Sequence, residues 1–196
     1  MDGYAAWFQS LMTAPRRVYG VKLKPFSLIH TITLTDLGSP YVLRCGSAGD
    51  ADTMIAAFVC ARNWSQIRRD IYPDICKSKL MSFWLRTRFY NWKRQSDIMA
   101  AYMDDYTTVP EHSELIEKKT GRSMAGSPEH HIVGVLCSKY NMTLDEAWNT
   151  PFNLARCCLD IYAERQGSET LISRHDEMLN NMAKELREKA VQNGNS

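Results

Sequence analysis

The stretch MTLDEAWNTPFNLARCCLDIYAERQG, Met142 to Gly167, constrains the fold most, because it carries helix punctuation at several points. Thr143 and Glu146 stand three residues apart, the spacing at which a hydroxyl and a carboxylate cap each other's backbone N–H groups. That predicts a short helix. Thr150 then offers a cap for a second helix with Pro151 at its first position, where no N–H is needed. Phe152, Ala155, Leu159 and Tyr162 recur at helical spacing, as do Leu154, Cys158 and Ile161. Gly167 follows the last turn, where a left-handed C-cap belongs. The pattern predicts a helix over residues 151–166.

Other segments are punctuated in the same way. Leu171, Ile172, His175, Met178, Leu179, Met182 and Leu186 make an apolar stripe that predicts a last helix over residues 168–192. Its charged end and the final QNGNS should fray. In GDADTMIAAFVCARNW, Met54, Ile55, Phe58, Val59 and Arg62 fall at helical spacing. Asp50 and Asp52 stand in its first turn and Arg62 stands late, the charge order that suits a helix dipole. Pro73 ends the following segment. Residues 77–106 read as one long helix or two shorter ones, closed by Val109-Pro110.

KPFSLIHTITLTDLGSP, Lys24 to Pro40, satisfies two templates. Ile32 and Leu34 alternate with Thr31, Thr33 and Thr35, as on a half-buried strand. Leu28, Ile29 and Ile32 also fit one helix face, with Ser27 as cap and Gly38-Ser39-Pro40 as stop. The fold class is therefore mainly α, a compact multi-helix domain, with a small β element near residues 28–36 left open. Residues 1–196 read as a single helical domain. A subdivision into 1–116 and 128–196 stays open, because the segment 117–127 is rich in Gly, Ser and charge. Pro128 is placed to open the helix that follows.

With 196 residues and 44% apolar content the chain can bury a real core. Its net charge of +2 leaves any electrostatic function to local patches. No segment has the roughly 20 apolar residues a bilayer span needs. At the N-terminus, Asp2 stands where a signal peptide would be basic, and Gln9 and Ser10 break the apolar run. A cytoplasmic location follows as the expectation, and the six cysteines should be thiols.

The most conspicuous local feature is CKSKLMSFWLRTRFYNWKR. Residues 76–94 hold six basic residues and no acidic one, with Phe83, Trp84, Phe89, Tyr90 and Trp92 among them. Single-stranded nucleic acid requires that combination of cations and stacking rings. The plainer reading is a core helix. Met81, Leu85, Phe89 and Trp92 fall at i, i+4, i+8 and i+11 as one buried stripe, leaving Arg86, Lys93 and Arg94 for solvent or an acidic partner. His130, His131 and Cys137 lack the fourth ligand of a zinc site, so one buried and one exposed histidine is expected, with no metal. Cys157 and Cys158 lie about 100° apart on a helix and read as small core residues. His175, Asp176 and Glu177 point in different directions and form no catalytic dyad. No phosphate loop, G-x-S-x-G or HExxH occurs. The chain reads as a non-enzyme without cofactor.

Three stretches together resemble a known pattern. VKLKPFSLIHTITLTDLGSPYV resembles an N-terminal basic-Pro-Phe-Ser-Leu segment leading to a histidine and a Ser-Pro. DADTMIAAFVCARNW resembles a helix ending in Cys-small-Arg. DEAWNTPFNLARCCLDIYAERQGSETLISRHDE resembles a Trp-x-x-Pro turn followed by a helix. The pattern is similar to that of tail assembly chaperones of long-tailed phages and prophages, encoded near the tape-measure gene. The basic–aromatic middle has no counterpart in it. The resemblance implies a helix at 28–36 carrying His30 into a helix–helix interface. It implies a protein that coats the tape-measure protein until tail tube subunits replace it, in the bacterial host cytoplasm. Trp84, Arg86, Arg88, Trp92, Lys93, Arg94 and Trp148 are the expected partner-binding residues, in a groove between residues 77–94 and the C-terminal helix pair. Ten methionines supply adaptable apolar surface. A nucleic-acid-binding module, or a structural head–tail connector or tail-completion component, are the alternatives; either an oligomer or a monomer fits.

Overall fold

The computed structural model describes residues 15–72, 76–107 and 127–166. The expected helix over 168–192, Gly167, and residues 117–126 of the expected linker lie outside them. Among the described residues are nine helices and one two-stranded antiparallel sheet. Strands β1 (Arg17–Val18) and β2 (Val21–Lys22) come first. Helices α1 (Leu28–Asp36), α2 (Pro40–Leu43), α3 (Asp50–Cys60), α4 (Trp64–Asp70), α5 (Lys77–Thr87) and α6 (Trp92–Thr107) follow. Then come α7 (Pro128–Lys139), α8 (Leu144–Asn149) and α9 (Phe152–Arg165).

Residues 28–36 are helical, so the β element left open there lies elsewhere, at 17–22. Local hydrogen bonds decide it. The Ser27 N–H donates to His30 Nδ1 at 3.0 Å, closing a capping box in which histidine takes the usual place of glutamate. Thr31 and Thr35 turn their hydroxyls back onto the carbonyls of Ser27 and Thr31, at 3.3 and 2.9 Å, so the threonines do not oppose the helix. Gly38, at φ +68°, ends it. The Ser39 N–H reaches the Leu34 carbonyl and the Gly38 N–H reaches Thr35, the paired bonds of a Schellman stop.

The sheet is a minimal hairpin. Arg17 pairs with Lys22 and Val18 with Val21 around Tyr19 and Gly20, both at positive φ (51° and 74°) as a primed turn requires. Tyr19 fastens this turn inward. Its N–H donates to Gln95 Oε1 and its hydroxyl to Asp50 Oδ1, each at 2.6 Å, so the hairpin grips the first turns of α6 and α3. Tyr90 meets Tyr19 edge-on at 5.9 Å between ring centres.

α3 is the central rod. From Thr53 to Cys60 every residue except Ile55 is buried, and α1, α5 and α6 pack around it. Phe26 sits beside it at 1% exposure, with the rings of His30, Tyr102 and Phe152 about it. The C-terminal helices join the rest along Phe26–Leu28. The Phe152 N–H donates to the Phe26 carbonyl at 2.8 Å, and Leu28 N–H to the Thr150 carbonyl at 3.3 Å. α7, α8 and α9 all pack on α1.

Within residues 142–166 the expected punctuation holds with one correction. Thr143 and Glu146 form their reciprocal capping box. Thr150, however, ends α8 instead of capping α9. Its hydroxyl donates to the Glu146 carbonyl at 2.8 Å, and Pro151 is drawn into a bridge with Ser27, so α9 starts at Phe152. The tertiary pairing with the Phe26 segment outcompetes the local cap. All six cysteines are free thiols.

His30 is the buried polar joint of the core, at 1% exposure. Because Nδ1 accepts from the Ser27 N–H, the ring proton lies on Nε2, which donates to the Arg62 carbonyl at 2.6 Å. The expected helix–helix interface is thus present. Burial is the main cause that lowers its pKa from 6.5 to about 4, with Lys24 adding to it and the backbone bonds at Arg62 and Pro25 opposing it. Below 6.5 the unfolded chain takes a proton that the fold refuses. Stability from this site is therefore whole above pH 6.5 and is lost as pH falls towards 4. Denaturant titrations across that window should show the loss, and His30→Asn should flatten the slope there. Gly20→Ala should cost about 1–2 kcal/mol by chemical denaturation, since it forces a left-handed alanine. Its methyl would also stand 2.5 Å from the Tyr90 hydroxyl, so Tyr90 must swing away.

Candidate functional site

The site begins at the end of α3. Arg62 follows that helix, donates to the Phe58 carbonyl, and lays its guanidinium 3.4 Å over the Phe58 ring. Its Nε reaches Asp70 at 3.3 Å. Asp70 ends α4 at 4% exposure and also holds Arg69 at 2.9 Å and Lys79 at 2.6 Å. Arg69 first, with Lys79 and Arg62, holds its carboxyl well below the usual carboxylate range, against the burial that pushes it up. Lys79 belongs to α5, so this carboxylate is where α5 is pinned to α3 and α4.

α5 buries one narrow side. Phe83 meets Phe58 edge-on at 5.5 Å, Leu80 packs beside it, and Thr87 is the one fully buried residue of the helix. This corrects the expected stripe. Met81 (57%), Leu85 (45%), Phe89 (80%) and Trp92 (40%) are exposed, not core. The spacing 80, 83, 87 is as helical as 81, 85, and periodicity alone does not say which faces α3. The chain also breaks into two helices, because Thr87 turns its hydroxyl onto the Trp84 carbonyl and Asn91 caps α6 through the Arg94 N–H. Phe89 and Trp92 thereby leave the helical register on which the stripe depended.

The result is a concentration of apolar surface. Nine large hydrophobic residues are exposed among the described residues, and six of them fall between Met81 and Trp92. Scattered exposed apolar residues are ordinary, but a contiguous group marks an interaction surface. On one flank of α5, Met54, Lys77, Leu80, Met81 and Trp84 line an open apolar cleft of about 390 Å³. Trp84, Arg86, Arg88, Trp92, Lys93 and Arg94 are all exposed, the first two on α5, Arg88 just after it and the last three in the first turn of α6. Arg88 lies over the Phe89 ring at 4.6 Å.

Trp148 is not brought to this face. It is 5% exposed and stacks on Trp64 at 5.4 Å, with the His130 ring edge against it. Its expected place among the partner-binding residues is therefore corrected. Its burial comes from α4, whose first N–H is capped by Asn149 Oδ1 at 2.8 Å, which brings the two tryptophans together. His130 and His131 are both exposed, against the expected buried and exposed pair, and His130 Nδ1 lies 2.8 Å from the Ser127 hydroxyl. No group of three His, Cys, Asp or Glu that could hold a metal ion occurs among the described residues. No helix among them is long and apolar enough to cross a membrane.

The residues that frame the site, Arg62, Asp70 and Phe83, carried little sequence signal. Arg62 was legible only as a late cation, and Asp70 carried no signal of its own. No family model, curated protein or solved structure matches the chain.

The frame predicts its own sensitivity. Asp70→Asn removes the charge that gathers three cations, and should lower stability by about 1–3 kcal/mol. Hydrogen exchange should show the amides of α5 opening faster in this variant, while those of α3 keep their protection.

Proposed function

We propose that this chain is a non-catalytic binding protein that captures a helical segment of another protein on the exposed face of α5 and the turn to α6. The observation that carries the reading is the group of six exposed hydrophobic residues between Met81 and Trp92. An amphipathic helix laid there would fill the cleft between Met54 and Trp84 and cover the exposed rings. The resemblance to phage tail assembly chaperones supplies the kind of partner: a long protein such as the tape-measure protein, whose apolar helical faces need cover until tail tube subunits take its place. Such a role calls for apolar contact weak enough to be displaced, and methionine at position 81 suits a surface that must accept varied sequences.

A second reading rests on the same residues. Exposed Trp84, Phe89, Tyr90 and Trp92 among unpaired cations would also suit a single strand of nucleic acid. Salt separates the two. Nucleic-acid binding falls steeply as salt rises, whereas binding by apolar cover does so far less.

The test is co-expression with a tape-measure protein of a long-tailed phage, the partner this reading names, in a nuclease-treated lysate. Under helix capture, that partner stays soluble and co-purifies at high salt, and Trp84→Ala together with Met81→Ser releases it. Recovery of nucleic acid that salt strips away, with the partner left insoluble, overturns the reading.

A further inference from the structure

α5 has two unlike outer flanks. Each residue turns a helix by about 100°, so Met81, Trp84 and Leu85 share one flank while Ser78, Ser82 and Arg86 share the other. The second flank opens on a cleft of about 280 Å³ lined by Arg62, Ser78, Lys79, Ser82, Phe83 and Arg86. Three cations and two hydroxyls therefore converge beside the apolar flank. Asp70 reaches this group from below, but it is buried and already shared by Arg62, Arg69 and Lys79.

The surrounding charge is one-sided. No Asp or Glu occurs between Asp74 and Asp97. Among the described residues, Lys77, Arg86, Arg88, Lys93 and Arg94 form no ion pair with a carboxylate. A partner that covers the apolar flank must partly strip water from these neighbouring cations, and an unpaired charge is costly to desolvate. A neutral or basic helix would leave that cost standing. A helix with carboxylates beside its apolar row would offset it.

We infer that the segment this face takes is an acidic amphipathic helix, with its apolar row on Met81, Trp84 and Leu85 and a Glu or Asp side chain in the cleft of Arg62, Lys79 and Arg86. The inference rests on the helix-capture reading and adds the partner's charge. Ser78 and Ser82 stand one helical turn apart and line the same cleft, Ser78 Oγ already sharing a hydrogen bond with Cys76 Sγ at 3.3 Å, so the Ser82 hydroxyl would be the donor to a carboxylate that the cations have drawn in. Arg86 is the selective element, since it is exposed and no carboxylate in the described fold occupies it.

Three labelled probes test this on the full chain by fluorescence anisotropy. Two are synthetic helical peptides with one shared leucine row, flanked by glutamate in one and by lysine in the other. The third is an oligothymidine. The glutamate peptide should bind about tenfold or more tightly than the lysine peptide, and Arg86→Glu should erase or invert that preference. Met81→Ser should weaken both peptides. Circular dichroism and melting of each variant show that it folds. If both peptides bind alike and Arg86→Glu changes nothing, the acidic partner is wrong while helix capture survives. If neither peptide binds, both readings fall, and oligothymidine binding that weakens with salt and with Arg86→Glu puts nucleic acid in their place.

Discussion

One buried carboxylate organises this fold around its exposed helix. Asp70 gathers Arg62 from the end of α3, Arg69 from its own helix and Lys79 from α5. Arg62 in turn is held by the Phe58 ring and carbonyl, and its own carbonyl accepts the proton of His30 on α1. Four helices thus meet at two residues, Asp70 through its carboxylate and Arg62 through its guanidinium and its carbonyl. The arrangement answers a local difficulty. A carboxylate at 4% exposure is expensive unless paired, and three cations on one side would repel without it. Each charge makes the others tolerable, so the group persists as a unit or fails as one.

This joint lets α5 remain a surface helix. A helix of eleven residues is marginal alone and needs one packed side. Phe83, Leu80 and Thr87 supply that side against α3, and Lys79 adds a tie at its first turn. Full burial of a side chain of Phe size contributes roughly 1.5–3 kcal/mol, and the partly buried Phe83 and Leu80 each contribute a share of that. Met81, Trp84 and Leu85 are then free to face outward. From the other end, the hairpin steadies the turn to α6, where Tyr19 holds both Gln95 and the ring of Tyr90.

Features with a local cause were the legible ones. The Thr143–Glu146 box, the Gly38 stop and the helical class of the chain depend on neighbours within a few residues, and the sequence displays those neighbours directly. The choice of helix at 28–36 needed one further fact, that His30 can serve as the capping side chain. Features with a distant cause were hidden. Thr150 looks like a cap until Phe26 claims Phe152, and Trp148 looks exposed until Asn149 draws in Trp64. The face of α5 is the clearest case. Two interleaved stripes had equal periodicity, and only the position of Phe58 selects the one that faces inward. The hairpin was missed because two-residue strands show no alternation to read.

The same hidden choice governs what the surface can do. Had Met81, Leu85 and Trp92 been core, the basic residues of 76–94 would be an ordinary solvated rim. With those residues outside, cations and apolar atoms share one surface, and the two place opposite demands on anything that covers it. Apolar cover excludes water, which the cations need unless they receive anions in exchange. A flexible polyanion meets the second demand readily and the first only where its bases stack. A helix with carboxylates flanking an apolar row meets both with one rigid face. Because most of the cations stay near the rim, they would act more on encounter and selectivity than on residence, while the apolar cleft sets how long the partner stays. A cleft on one side of a single helix is a small anchor, and that favours exchange over permanent assembly. The proposed capture of a helix that is later handed on calls for exchange of that kind.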